Sequence, residues 1–90
     1  MSRYTIETKD FDIIIGWDAP LGYYHLVIFD KAENIVWSNL DQQNAFPKNF
    51  AEYRTIIHEI VGIELPEDVI ERLNRDKEND TGNFEKNYKM

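Results

Sequence analysis

The sequence predicts an α+β domain: a four-stranded antiparallel meander followed by two helices packed on one face, in the order ββββαα. Three observations carry this reading. Four runs rich in β-branched and aromatic residues precede residue 39, each bounded by polar or turn-forming residues. The connections between them are about five residues long, too short for a parallel crossover. After residue 49 the apolar spacing changes from the two-residue period of strands to the period of amphipathic helices.

Taken in order, Tyr4-Thr5-Ile6-Glu7-Thr8 alternates and forms the first strand, half buried through Tyr4 and Ile6. Lys9-Asp10-Phe11 turns the chain, with Asp10 suited to bond its own backbone. Asp12–Trp17 is the second strand, with Ile13, Ile15 and Trp17 on one face and Ile14 and Gly16 on the other. Asp18–Gly22 is a loop, because Pro20 cannot donate to a ladder and Gly22 tolerates positive φ. Tyr23–Phe29 is the third strand, an unbroken aromatic and aliphatic run, and Ile35–Ser38 follows a polar hairpin loop as the fourth.

Residues 39–47 read as loop, and Asn49 is an expected N-cap. Phe50, Tyr53, Ile56, Ile57, Ile60 and Val61 then make one helical stripe, closed by Gly62 at the C′ position. Pro66 opens a second helix with Glu67 and Asp68 in its first turn and Val69, Ile70 and Leu73 as its stripe. Acid-before-base pairs four residues apart, Asp68 with Arg72 and Glu71 with Arg75, support it. The stripe stops beyond Lys77. This predicts a single domain over residues 1–78 and a polar, mobile tail over 79–90, where Phe84 and Tyr88 alone offer apolar bulk.

Composition narrows the function classes. The chain has 90 residues and no cysteine, so neither disulfides nor a thiolate metal site support its core. Its 42% hydrophobic and 13% aromatic content is enough to build one. Seventeen acidic against ten basic residues give a net charge of −7, which repels nucleic-acid phosphates and anionic membrane surfaces. No apolar run approaches the roughly 20 residues of a bilayer span, and the first residues carry no signal-peptide pattern, which predicts a cytoplasmic protein.

The stretch Gly16-Trp17-Asp18-Ala19-Pro20-Leu21 is followed by an aromatic strand. Leu65-Pro66 then opens a helix ending near Arg75-Asp76, with Gly82-Asn83 beyond it. With these motifs the chain resembles a family of small uncharacterised bacterial proteins over most of its length. The resemblance implies a bacterial, cytoplasmic, single-domain protein and brings no activity. The Gly82-Asn83 match implies a tail better ordered than its composition suggests.

No motif of catalysis appears. His25 and His58 have no second histidine or cysteine at ligand spacing; His58 reads as solvated and His25 as a hydrogen-bonded strand residue. Asp10, Asp12, Asp18 and Asp30 flank turns, where carboxylates serve the backbone. Asp76-x-Glu78-x-Asp80 imitates a calcium loop, but Thr81 stands where glycine is needed and Asn87 where glutamate is needed. Trp17, Tyr23, Tyr24, Phe29 and Trp37 could stack bases, yet Arg3, Lys9 and Lys31 are the basic residues of the sheet half, too few for a positive groove.

If Ile13, Ile15 and Trp17 meet the helices together with Tyr24, Leu26 and Ile28, the other face carries Ile14, Tyr23, His25, Val27, Phe29 and Val36. Both faces of the third strand are apolar, so the opposite parity is also open. Either assignment leaves one apolar face to be explained. The resulting expectation is a non-enzymatic protein–protein interaction or self-association module, binding a protein partner or a second copy. Its candidate binding residues are Asp18, Pro20, Tyr23, His25 and Val27, with no cofactor and no metal. The alternatives are an acidic regulator or inhibitor competing for a basic, nucleic-acid-binding partner, and a small enzyme with an Asp18/His25 site.

Overall fold

The computed structural model describes residues 2–18, 22–39, 51–79 and 84–89. The alternating runs form β1 (Ser2–Glu7), β2 (Phe11–Asp18), β3 (Tyr23–Asp30) and β4 (Ile35–Ser38), each antiparallel to the one before it. The helical stripes form α1 (Ala51–Ile60) and α2 (Glu67–Asn79). The chain is therefore α+β, with a sheet and, among the described residues, two helices.

The sheet is not the four-stranded antiparallel meander expected from sequence. Phe84–Lys89 forms a further strand, β5, which lies parallel to β1 and makes the order β4-β3-β2-β1-β5. The sequence reads these residues as part of a polar tail because Phe84-Glu85-Lys86-Asn87-Tyr88-Lys89 is poor in aliphatic residues. The strand forms because its alternation places Phe84, Lys86 and Tyr88 opposite Ser2, Tyr4 and Ile6, where they reach the Tyr4 ring and α2.

The register settles the parity of the sheet. Trp17 lies opposite Tyr24, Ile15 opposite Leu26 and Ile13 opposite Ile28, while Tyr4 and Ile6 continue the same face on β1. All of these are buried against Tyr53 and Ile57 of α1 and Val69 and Leu73 of α2. The Trp17 and Tyr24 rings meet edge to face at 4.9 Å, and Trp37 of β4 meets Tyr53 in the same way at 5.9 Å.

Polar groups inside this core are bonded. The Tyr24 hydroxyl donates to the Leu73 carbonyl at 3.0 Å and the Tyr53 hydroxyl to the Tyr24 carbonyl at 3.0 Å. The Tyr4 hydroxyl donates to Oδ2 of Asp76 at 2.5 Å. Asp76 is only 5% exposed. It extends the Val69–Leu73 stripe by three residues, so helical geometry turns it inward.

The turns follow their residues, with one correction. Thr8 rather than Asp10 ties the β1–β2 turn: its Oγ1 accepts from the Phe11 amide at 3.0 Å and donates to the Phe11 carbonyl at 2.8 Å. In the β3–β4 turn, Oδ1 of Asp30 accepts from the amides of Ala32 and Asn34, both at 2.9 Å. After α1, Gly62 takes φ +80° and donates to the His58 carbonyl at 3.0 Å, the left-handed stop expected of a C′ glycine. The expected N-cap Asn49, the Phe50 position and the Gly82-Asn83 pair lie outside the described residues.

Candidate functional site

Both described helices pack on one face of the sheet, so the other face is the candidate site. Alternation along β2 and β3 places Ile14, Gly16 and Asp18 there with Val27, His25 and Tyr23 as their cross-strand neighbours. Four of the five residues singled out from sequence, Asp18, Tyr23, His25 and Val27, therefore share this face. Pro20 lies outside the described residues. The four are not equally accessible: Asp18 and Tyr23 are 7% and 9% exposed, whereas His25 and Val27 are half-buried.

Burial pushes the Tyr23 phenol above its ordinary value, and the Asp18 carboxylate beside it adds to the rise. His25 moves the other way. Burial lowers its pKa, opposed by a bond to Ser2 and by the Asp18 charge. Its Nε2 lies 3.1 Å from the Ser2 carbonyl oxygen, which can only accept, so Nε2 carries the proton.

Ser2 explains why position 16 is glycine. A Cβ built on Gly16 would lie 2.0 Å from the Ser2 carbonyl oxygen and 2.7 Å from His25 Nε2. The Ser2 backbone crosses closely over this point of β2, and its Oγ accepts the Trp17 amide at 3.0 Å. Gly16, Ser2 and His25 thus form one unit that seats the start of β1 on the sheet. Sequence reasoning missed it, because a lone strand glycine signals a close approach without saying what approaches.

Further along the same face is a groove of about 390 Å³. Ile14 and Phe29 give it an apolar lining, and Arg3, Thr5, Glu7, Asp12 and Glu33 add polar and charged walls. Lys31 pairs with Asp12 at 2.9 Å, and Arg3 with Glu85 at 3.6 Å. Arg3, Thr5 and Glu7 were also missed, although their signal was present: they are the residues of β1 that alternate with Tyr4 and Ile6.

Other concavities lie elsewhere among the described residues. One of about 350 Å³ is lined by Arg54, Thr55, His58 and Glu64 beside α1, with His58 exposed and 3.5 Å from Glu64. One of about 250 Å³ lies between the β1–β2 turn and Val61 and Ile63. Among the described residues, no three His, Cys, Asp or Glu side chains are placed to hold a metal ion, and no helix is long and apolar enough to cross a membrane.

No family model, curated protein or solved structure matches the chain.

Proposed function

We propose that the chain is a non-enzymatic protein–protein interaction module that binds an apolar patch of a protein partner through the open face of its sheet. The observation that carries this reading is the half-buried row Ile14, Val27 and Phe29, lying on the face opposite both described helices and lining or flanking a groove. The arrangement around His25 fits the same reading. Its Nε2 proton is held by a backbone carbonyl, as suits a residue that seats a strand rather than one that shuttles protons. The family resemblance of the Gly16–Leu21 stretch adds no activity.

The net charge of −7 favours a second reading, an acidic regulator that competes for a basic, nucleic-acid-binding partner. Salt separates the two. In a pull-down at low and high salt, with Val27→Asp alongside and its fold checked by circular dichroism, an apolar partner stays with the wild type at high salt and is lost by the variant. A partner released by salt and retained by Val27→Asp overturns the open-face reading in favour of the acidic one.

A further inference from the structure

The groove on the open face has a floor and a rim of different chemistry. Ile14 and Phe29 form the floor, and Ile35, opposite Phe29 in the β3–β4 register and 59% exposed, carries it toward β4. The rim holds three carboxylates, Glu7, Asp12 and Glu33, against one cation, Arg3. Arg3 lies 3.6 Å from Glu85, and Lys31 reaches Asp12 at 2.9 Å. Glu7 and Glu33 remain. Among the described ion pairs none takes either, although Lys89 stands opposite Glu7 in the β1–β5 register. Glu7 also lies directly opposite Asp12 on β2, a like-charge cross-strand pair that Lys31 relieves at Asp12 alone.

We propose that this groove receives a segment of the protein partner in which an aliphatic or aromatic anchor is flanked by Lys or Arg. The anchor lies on Ile14 and Phe29, and the cations reach Glu7 and Glu33. The inference rests on the open-face reading and adds the partner's charge to it. Charge complementarity selects this occupant over three others. An acidic segment would meet surplus carboxylates on a chain already at −7, and a second copy of this chain would bring the same surplus. A wholly apolar segment would strip water from Glu7 and Glu33 and give them nothing in return. A long basic side chain suits floor and rim together, because its methylene stem packs on apolar surface while its charged head stays at the wet edge. The anchor then supplies affinity that persists in salt, and the cations supply a preference that salt weakens.

Three capped tripeptides test the choice: Lys-Phe-Lys, Gln-Phe-Gln and Glu-Phe-Glu. Each is titrated to millimolar concentration into the isotope-labelled full chain and followed by nuclear magnetic resonance. The Lys peptide is expected to shift the Ile14 methyl groups and the Thr5 and Phe29 amides, and at low salt to bind about tenfold more tightly than the Glu peptide. Glu7→Gln combined with Glu33→Gln, its fold checked by circular dichroism, is expected to bring those two peptides within about twofold of each other while leaving the Gln peptide unchanged. Lys and Glu peptides that bind this groove equally overturn the inference and leave the open-face reading standing. A preference for the Lys peptide that survives the loss of Glu7 and Glu33 overturns it too. Shifts confined to residues outside the groove, or none with any peptide, also overturn the inference, and the open-face reading is then decided by Val27→Asp in the pull-down.

Discussion

At one edge of the sheet, β5 offers the solvent charged and amide side chains and is fastened to α2. Asp68 of α2 accepts hydrogen bonds from the Tyr88 hydroxyl, from Arg72 Nε at 3.1 Å and from Lys86 Nζ at 3.4 Å, and the Arg72 guanidinium lies 5.5 Å from the centre of the Phe84 ring. At the other edge, β4 sends Trp37 inward against Tyr53 and leaves Ile35 and Val36 exposed. β5 is thus held by side chains that cross to a helix, whereas the contacts described for β4 include its ladder to β3 and the meeting of Trp37 with Tyr53. The difference teaches that an edge strand need not be apolar to be secured, nor charged merely because it is exposed.

The largest effect expected on this comparison comes from Gly16→Ala. A methyl group there collides with the Ser2 carbonyl, and Ser2 is the residue at which β1 meets both β2 and Phe84 of β5. A loss of about 3 kcal/mol is expected, since backbone has to move to admit the new atom. Chemical denaturation measures the loss, and amide exchange locates it: β1 and β5 lose protection while the β3–β4 hairpin keeps its own. Equal loss along all five strands would show that the two edges are not independent.

The same division shows what was legible in the sequence. β1 to β4 and both described helices could be read because their apolar residues repeat at the period of the element that buries them, whereas the facing of Ile13, Ile15 and Trp17 with Tyr24, Leu26 and Ile28 was one of two parities that alternation left open and the register decided. β5 could not, because its stability lies in contacts with Tyr4 and Asp68, distant in sequence, and parallel pairing leaves no hairpin signature. Of the candidate site, the shared face of Tyr23, His25 and Val27 was legible as one of two parities, whereas Asp18, expected in the loop, ends β2 and joins them. The burial of Asp18 and the seat of Ser2 on Gly16 were not legible, the second because it depends on which backbone passes overhead.

A smaller effect sharpens the comparison from inside the core. Tyr4→Phe removes the hydroxyl bonded to buried Asp76 and is expected to cost about 1–3 kcal/mol. Tyr24→Phe should cost less, about 1 kcal/mol, because Leu73 lies inside α2 and its carbonyl has a helical partner of its own. Alkaline pH probes the same hydroxyls. Burial raises the pKa of Tyr4 and Tyr53, and raises Tyr24 and Tyr88 to about 12, so the unfolded chain, ionising near 10.0, releases its protons first. Stability is therefore whole below that value and is lost progressively as pH rises from it to the raised values of the folded state. Tyrosinate absorbance and loss of far-ultraviolet dichroism should rise together in wild type; absorbance that runs ahead of unfolding would place these hydroxyls in water.

The smallest effect on global stability, and the sharpest on the edges, is expected from Asp68→Asn. Asp68 is exposed, so the fold as a whole should be little changed. Its carboxyl is held below the ordinary 3.8 by the Tyr88 hydroxyl first and then by Arg72 and Lys86. A carboxyl lowered in the folded state contributes stability that is present above its ordinary value and is lost as pH falls through the lowered one. The Asn variant imitates that loss at neutral pH: it keeps an acceptor for Tyr88 but gives up the charge that draws Arg72 and Lys86. Amides of β5 should then exchange faster than those of the wild type, with β4 unaffected, and acidification should do the same to wild type before the core opens. If β5 exchange is the same in both proteins, the ladder to β1 suffices to hold it, and the two edges differ in what they expose rather than in how they are held.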